Sequence, residues 1–228
     1  MVSAVLQNVA VRRRGQAILG PVTHQLSGQG TTLIMGPNGA GKSTLLRALH
    51  GMMRHHGTIT WQGDATRAIV FQRPILLRRS VAQNLAYPLQ LSRLPKAQIE
   101  QATADWAGRI GLAGALDRYA PRLSGGEQQK LALARALITQ PKVLLLDEPC
   151  AALDPSATRE IEALLTAAAA AGTRILMATH DLGQARRLAT DVIVLRRGQV
   201  LETGPAPTIF TAPERPQTAA FFAGEIVE

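Results

Sequence analysis

Only one cysteine, Cys150, occurs among the 228 residues, so no disulfide framework can hold this chain together and a reducing compartment suits it. Aromatic side chains make up 4% of the chain, too few for a platform on which bases stack, which argues against nucleic acid as a partner. Lysine is nearly absent. Lys42, Lys96, Lys130 and Lys142 are all there are, so the formal net charge of +9 rests on arginine and favours an anionic membrane face or nucleotide. No apolar run approaches the roughly 20 residues of a membrane span, no signal pattern opens the chain, and the lone cysteine suits the cytoplasm. His50, His55 and His56 lack the companions of a metal-ligand set, and two adjacent histidines do not share a face. What remains is one expected domain over 1–228, large enough for a substantial core and without an appended regulatory domain.

The richest segment is Gly36-Pro37-Asn38-Gly39-Ala40-Gly41-Lys42-Ser43-Thr44, which fits the G-x-x-x-x-G-K-[ST] phosphate loop. A short apolar run, Thr31 to Met35, precedes it as a buried strand, and Ser43 to Leu49 follows as an amphipathic helix. That order lets successive backbone N–H groups and a helix N-terminus face phosphate oxygens. Lys42 can reach the β- and γ-phosphates, and the Ser43 hydroxyl can serve Mg²⁺. The plain alternative, a glycine-rich turn that binds nothing, ignores the flanking strand and helix.

A second anion cradle lies in Leu123-Ser124-Gly125-Gly126-Glu127-Gln128-Gln129, where a hydroxyl, two glycines and a helix start coincide. Taken alone it reads equally as an ordinary N-cap. Next, Val143 to Leu146 form an apolar strand that ends abruptly in Asp147-Glu148-Pro149. Ligands of parallel sheets bind beyond the carboxyl ends of strands, so Asp147 is placed to hold Mg²⁺ and Glu148 to polarise an attacking water. Two acids fraying into solvent would not explain the sharp apolar-to-acidic switch. Cys150 beside Glu148 admits a redox role, but a small part-buried residue is the simpler reading.

Together these motifs resemble those of the ATP-binding cassette (ABC) ATPases, in family order and over nearly the whole chain. The resemblance implies an α/β P-loop NTPase cassette with a RecA-like core, an antiparallel β edge and a helical lobe. Residues 1–79 and 141–228 would form the core with its edge, with strand-like residues near 2–35 and 57–71 making that edge; 80–140 would form the helical lobe. It also implies ATP as substrate, Mg²⁺ as cofactor, and a head-to-tail homodimer in which Ser124, Gly125, Gly126 and Asp154 contact nucleotide on the partner. In Ala151-Ala152-Leu153-Asp154, alanine replaces the first serine usual in the family's D-loop, removing one possible cross-dimer hydrogen bond. His180, in Met177-Ala178-Thr179-His180-Asp181, falls at the switch histidine, and Gln72, before Arg73-Pro74, at the Q-loop glutamine that reaches Mg²⁺ and the water. Arg14 stands where the family places an aromatic residue that stacks on adenine; a guanidinium plane can also stack. A solvated loop at Arg12-Arg13-Arg14 is the alternative.

The resemblance further implies membrane permease subunits as partners, docking near Arg73 to Tyr87, and a periplasmic or extracellular binding protein acting indirectly. The cassette would then sit on the inner membrane face. The run from Val70 to Val81 resembles tungstate-type oxyanion importers and, less distinctively, those for molybdate and phosphate. Two other readings are a soluble ABC protein of DNA repair or translation and a non-hydrolysing nucleotide switch. The lack of tandem cassettes or coiled-coil insertions argues against the first, and intact Lys42, Asp147, Glu148 and His180 against the second.

Overall fold

Apolar–polar alternation at the start of the chain makes two long antiparallel strands, β1 (Ser3–Arg13) and β2 (Gln16–Leu26), in the computed structural model. The structure describes residues 2–26, 28–63, 65–151 and 153–225. The hairpin turns on Arg14 and Gly15, both in the left-handed region at φ 51° and 82°, as a two-residue turn matched to strand twist requires. After β3 (Thr31–Met35), α1 (Lys42–His50) and β4 (His56–Gln62) comes the short β5 (Arg67–Val70). Helices α2 (Val81–Leu91), α3 (Lys96–Arg109) and α4 (Gly125–Leu137) follow. The chain then alternates through β6 (Val143–Asp147), α5 (Pro155–Ala170), β7 (Arg174–Ala178), α6 (Leu182–Leu188) and β8 (Asp191–Arg196). It closes with β9 (Gln199–Pro205), α7 (Ala206–Thr211) and α8 (Pro216–Phe222).

Two sheets result. One is antiparallel, ordered β2-β1-β4; the other is six-stranded, β5-β6-β7-β3-β8-β9, parallel except for β9. Every residue of β3, β6 and β7 is buried, as expected of strands covered on both faces. The expectation that 2–35 and 57–71 form one β edge therefore needs correction. Only β1, β2 and β4 make the edge, while β3 and β5 join the parallel sheet. Thr31 to Met35 does not alternate, because neither of its faces meets water.

One core layer packs Leu6, Val9 and Leu19 of the antiparallel sheet against Leu45, Leu46 and Leu49 of α1 and Leu145 and Leu176 of the parallel sheet. The opposite face packs Leu33, Leu144 and Leu146 against Leu133, Leu137, Ile161 and Leu165. A third cluster, with Val81, Leu85, Ile110 and Leu131, gathers α2, α3 and α4. Among the described residues no helix is long and apolar enough to cross a membrane.

The strand order fixes the site. Strands β6, β7 and β3 are neighbours and run parallel, so the residues following each emerge side by side at one sheet edge. Those residues are Glu148, His180 and the Gly36 loop.

Candidate active site

The loop after β3 curls back over its own helix. Gly36 has φ 141°, and a Cβ there would lie 2.1 Å from the Leu195 carbonyl oxygen, so only glycine fits. Gly41, at φ 103°, forms the N-cap of α1 with no side-chain cap, which leaves the first N–H groups of the helix open to a ligand. Lys42 is buried, and its Nζ donates to the carbonyls of Gly36 at 2.8 Å and Pro37 at 3.1 Å. Burial pushes the Lys42 pKa down, while Glu148 and Asp147 push it up.

Two carboxylates face this loop in different ways. Ser43 Oγ donates to Asp147 Oδ1 at 2.7 Å. Glu148 takes φ 49°, a left-handed conformation uncommon outside glycine, and its N–H donates to Ala178 O at 3.0 Å. Its Oε1 stands 3.9 Å from Lys42 Nζ, and its Oε2 stands 3.3 Å from His180 Nδ1. Gln72 completes the ring. A cavity of about 500 Å³ is lined by Ile18, Asn38 to Thr44, Gln72, Glu148 and His180. A larger cleft, about 910 Å³, opens beside Trp106, Lys130 and the alanines of α5, but it contains none of these groups. Size does not locate the chemistry here.

The donors suit Mg²⁺. A serine hydroxyl and a carboxylate already meet, and an amide oxygen can come from the facing Gln72; these are hard oxygen ligands of the few-per-protein kind that Mg²⁺ combines with phosphate and water. Among the described residues no cluster of three or more His, Cys, Asp or Glu offers a rival metal site, and His50, His55 and His56 form none.

The remaining sites stand apart. None of Ser124, Gly125, Gly126 and Asp154 lines the cavity of its own chain. Ser124 caps α4 in a reciprocal box: its Oγ accepts from Glu127 N, and Glu127 accepts from Ser124 N. Asp154 caps α5, accepting from Ser156 N at 2.8 Å and Ala157 N at 2.9 Å. Ala152, in the same D-loop segment, lies outside the described residues. Arg14 sits exposed at the β1–β2 turn and is not part of the cavity wall; Ile18 of the same hairpin is. Cys150 is half-buried, and burial pushes its thiol up to about 11, far from a reactive thiolate.

Sequence reasoning passed over Ile18 and Arg47. Nothing marks Ile18, which is an ordinary apolar strand residue. Arg47 had a signal: it lies four residues after Ser43, hence on the same helix face, and its Nη2 stands 3.8 Å from Asp147 Oδ2.

The caps carry a pH dependence. Backbone N–H bonds, from Ala157 first in one case and Ser124 in the other, hold the Asp154 and Glu127 carboxyls below the usual range. A depressed folded pKa contributes stability above the unfolded value, about 4, that is lost as pH falls through the folded value. The thermal midpoint should therefore fall on acidification below about pH 4, and Asp154→Ala should show a shallower fall. Identical acid profiles by circular dichroism melting would count against the cap at Asp154.

A family model for ABC transporters matches residues 19–151, more than half of the chain. The chain belongs to the ABC transporter family. Its fold is the ABC cassette form of the P-loop NTPases. The methionine import ATP-binding protein MetN of Cereibacter sphaeroides is 40% identical over 210 residues, covering 85% of this cassette. This cassette in turn spans 60% of that relative's length. The phosphate import ATP-binding protein PstB 2 of Natronomonas pharaonis is 37% identical over 237 residues, covering 93% of this chain and 84% of that one. Among solved structures, CbiO1 from Clostridium perfringens, part of the ABC transporter complex CbiONQ, superposes with a TM-score of 0.81 at 28% identity, covering 92% of this cassette and 91% of that chain.

Proposed function

We propose that this cassette hydrolyses ATP to power a membrane importer. The observation that carries the reading is the convergence of Lys42, the Ser43–Asp147 pair, Gln72 and the Glu148–His180 pair on one cavity. Lys42 swings from its carbonyl partners to the β- and γ-phosphates. Glu148 accepts a proton from a water as the water oxygen bonds to the γ-phosphorus. The bond from that phosphorus to the bridging oxygen breaks, and ADP leaves with the electron pair. His180 holds Glu148 and faces the same phosphoryl group. Mg²⁺, held by Ser43, Gln72 and Asp147, directly or through water, would neutralise charge on the β- and γ-oxygens.

Two cassettes would act together as a homodimer. Ser124, Gly125, Gly126 and Asp154 lie off their own cavity, which supports their serving the nucleotide of the partner. In this reading 80–140 is a helical lobe that moves against the core 1–79 and 141–228, and permease subunits dock beside Arg73 to Tyr87. The exposed Ile75 and Tyr87 fit such a contact. The cassette would be cytoplasmic, held peripherally at the inner membrane face. Two relatives bear import in their names, which supports the direction of transport. For cargo we favour an oxyanion, tungstate first, with molybdate and phosphate as its chemical neighbours; the phosphate-import relative supports that class. Methionine is the second reading, favoured by the 40% identical relative.

The test is ATP hydrolysis in membranes containing this cassette and its permease, with binding protein loaded with tungstate, phosphate or methionine. Stimulation by one loaded form identifies the cargo class. Hydrolysis that none of them changes would sink the import reading while keeping the ATPase. Arg14 gives a separate expectation: adenine stacking by a guanidinium is weak and tolerant, so GTP and ATP should bind within about tenfold of each other. Arg14→Ala should weaken both about two- to tenfold by fluorescence competition. A strong ATP preference unchanged in Arg14→Ala would remove Arg14 from the site.

A further inference from the structure

Helix α1 brings two side chains to one carboxylate. Ser43 Oγ donates to Asp147 Oδ1 at 2.7 Å, and Arg47 Nη2 stands 3.8 Å from Oδ2. The Asp147 side chain is 8% exposed, so its second oxygen needs a partner, and Arg47 supplies it. Arg47 also reaches sideways: its guanidinium carbon lies 5.8 Å from the centroid of the Phe71 ring. The backbone of Phe71 is held as well, since the buried Gln129 of α4 donates from Nε2 to Phe71 O at 3.3 Å. The residue after Phe71 is Gln72, in the cavity wall.

We propose that Arg47 is a positioning residue of the hydrolytic centre. It holds Asp147 in its metal-accepting orientation and, through Phe71, sets that carboxylate against Gln72. The inference rests on the hydrolytic reading above. Ser43 can donate its proton to Asp147 and still offer a lone pair to a metal. One hydrogen bond does not stop a carboxylate turning about its Cβ–Cγ bond; a second contact on the other oxygen does. The arginine side chain is 44% exposed, so solvent screens this ion pair and its contribution to stability is small. Its effect lies in orientation. Because α4 begins just after Ser124, the Gln129–Phe71 bond also makes a continuous chain of contacts from that helix to Asp147.

The experiment uses Mn²⁺ in place of Mg²⁺, with free Mn²⁺ read by electron paramagnetic resonance on the full chain loaded with ATP in a Glu148→Gln background. Losing an outer-shell partner of a metal ligand typically costs about 10–100-fold in affinity, so adding Arg47→Met should weaken Mn²⁺ about tenfold or more. ATP binding in EDTA and the melting temperature should stay near the parent values. Arg47→Lys, which keeps the charge without the flat guanidinium, should recover most of the Mn²⁺ affinity. With Glu148 restored, Arg47→Lys and Phe71→Leu should both lower kcat several-fold at unchanged KM. Mn²⁺ affinity within twofold of the parent in a folded Arg47→Met overturns the proposal. Should Arg47→Met fail to fold, unchanged kcat in both Arg47→Lys and Phe71→Leu overturns it instead. A parent that binds no Mn²⁺ with ATP refutes the hydrolytic reading itself, a failure distinct from that of Arg47.

Discussion

Glu148→Gln should bind ATP about as well as the unaltered chain and release phosphate about 10²–10⁴ times more slowly. The substitution keeps the shape of the side chain and removes its charge and its basicity. Glutamine matches the volume of glutamate and can keep the contact with His180, now 3.3 Å from Nδ1, and tolerate the 3.9 Å approach of Lys42. It cannot take a proton from water. The φ of 49° at this position and the N–H bond to Ala178 O are set by the β6 and β7 strand ends, so the replacement should sit where the acid sat. With hydrolysis blocked, ATP should hold the two cassettes of the proposed homodimer together, and size-exclusion chromatography should show more dimer with ATP than for the unaltered chain. Phosphate release at more than a tenth of the unaltered rate would move the base elsewhere. His180→Ala offers a second comparison: it loses the partner that orients Glu148 but keeps the base, and should retain more activity than Glu148→Gln.

Most of this centre was legible because its parts are local in sequence and punctuated by glycine, proline and abrupt polarity changes. The phosphate loop needs contiguous residues, and the Asp147-Glu148 pair stands out after four buried apolar residues. Pairing across the fold was less legible. Ser43 and Asp147 are 104 residues apart, and only the β6-β7-β3 order brings them to 2.7 Å. The β edge was drawn too wide for a related reason: nothing local in Thr31 to Met35, though buried, or in the four-residue β5 says which sheet each strand joins. Ile18 could not have been found, because an apolar strand residue looks the same whether it lines a cavity or a core. Ser124 and Asp154 show the opposite limit. Their capping bonds are present in the folded chain, and a helix cap and a ligand for a second chain use the same residue types.

Lys42→Met should weaken nucleotide binding itself, and turnover with it. In this chain the Lys42 ammonium is buried and bound to two loop carbonyls, with Glu148 and Asp147 near enough to favour its charge. In the proposed reading, nucleotide binding would exchange these neutral carbonyl acceptors for charged phosphate oxygens. Hydrogen bonds to charged groups are worth about 1.5–3 kcal/mol each. Because the free ammonium already makes two charge-assisted bonds to carbonyls, only the difference counts toward binding, about 1.5–3 kcal/mol, or about 10–10² in affinity at 1.4 kcal/mol per decade. Methionine keeps the stem and its packing, but the buried Gly36 carbonyl loses its Lys42 donor, so the melting temperature should fall along with the affinity. The contrast is the point of the pair: Glu148→Gln keeps nucleotide and loses turnover, whereas Lys42→Met should lose both together. Titration with a fluorescent ATP analogue decides it. Affinity within tenfold of the unaltered chain would mean that the backbone amides from Gly39 to Ser43 and the α1 N-terminus hold the phosphates almost unaided, and that the lysine serves only the transition state.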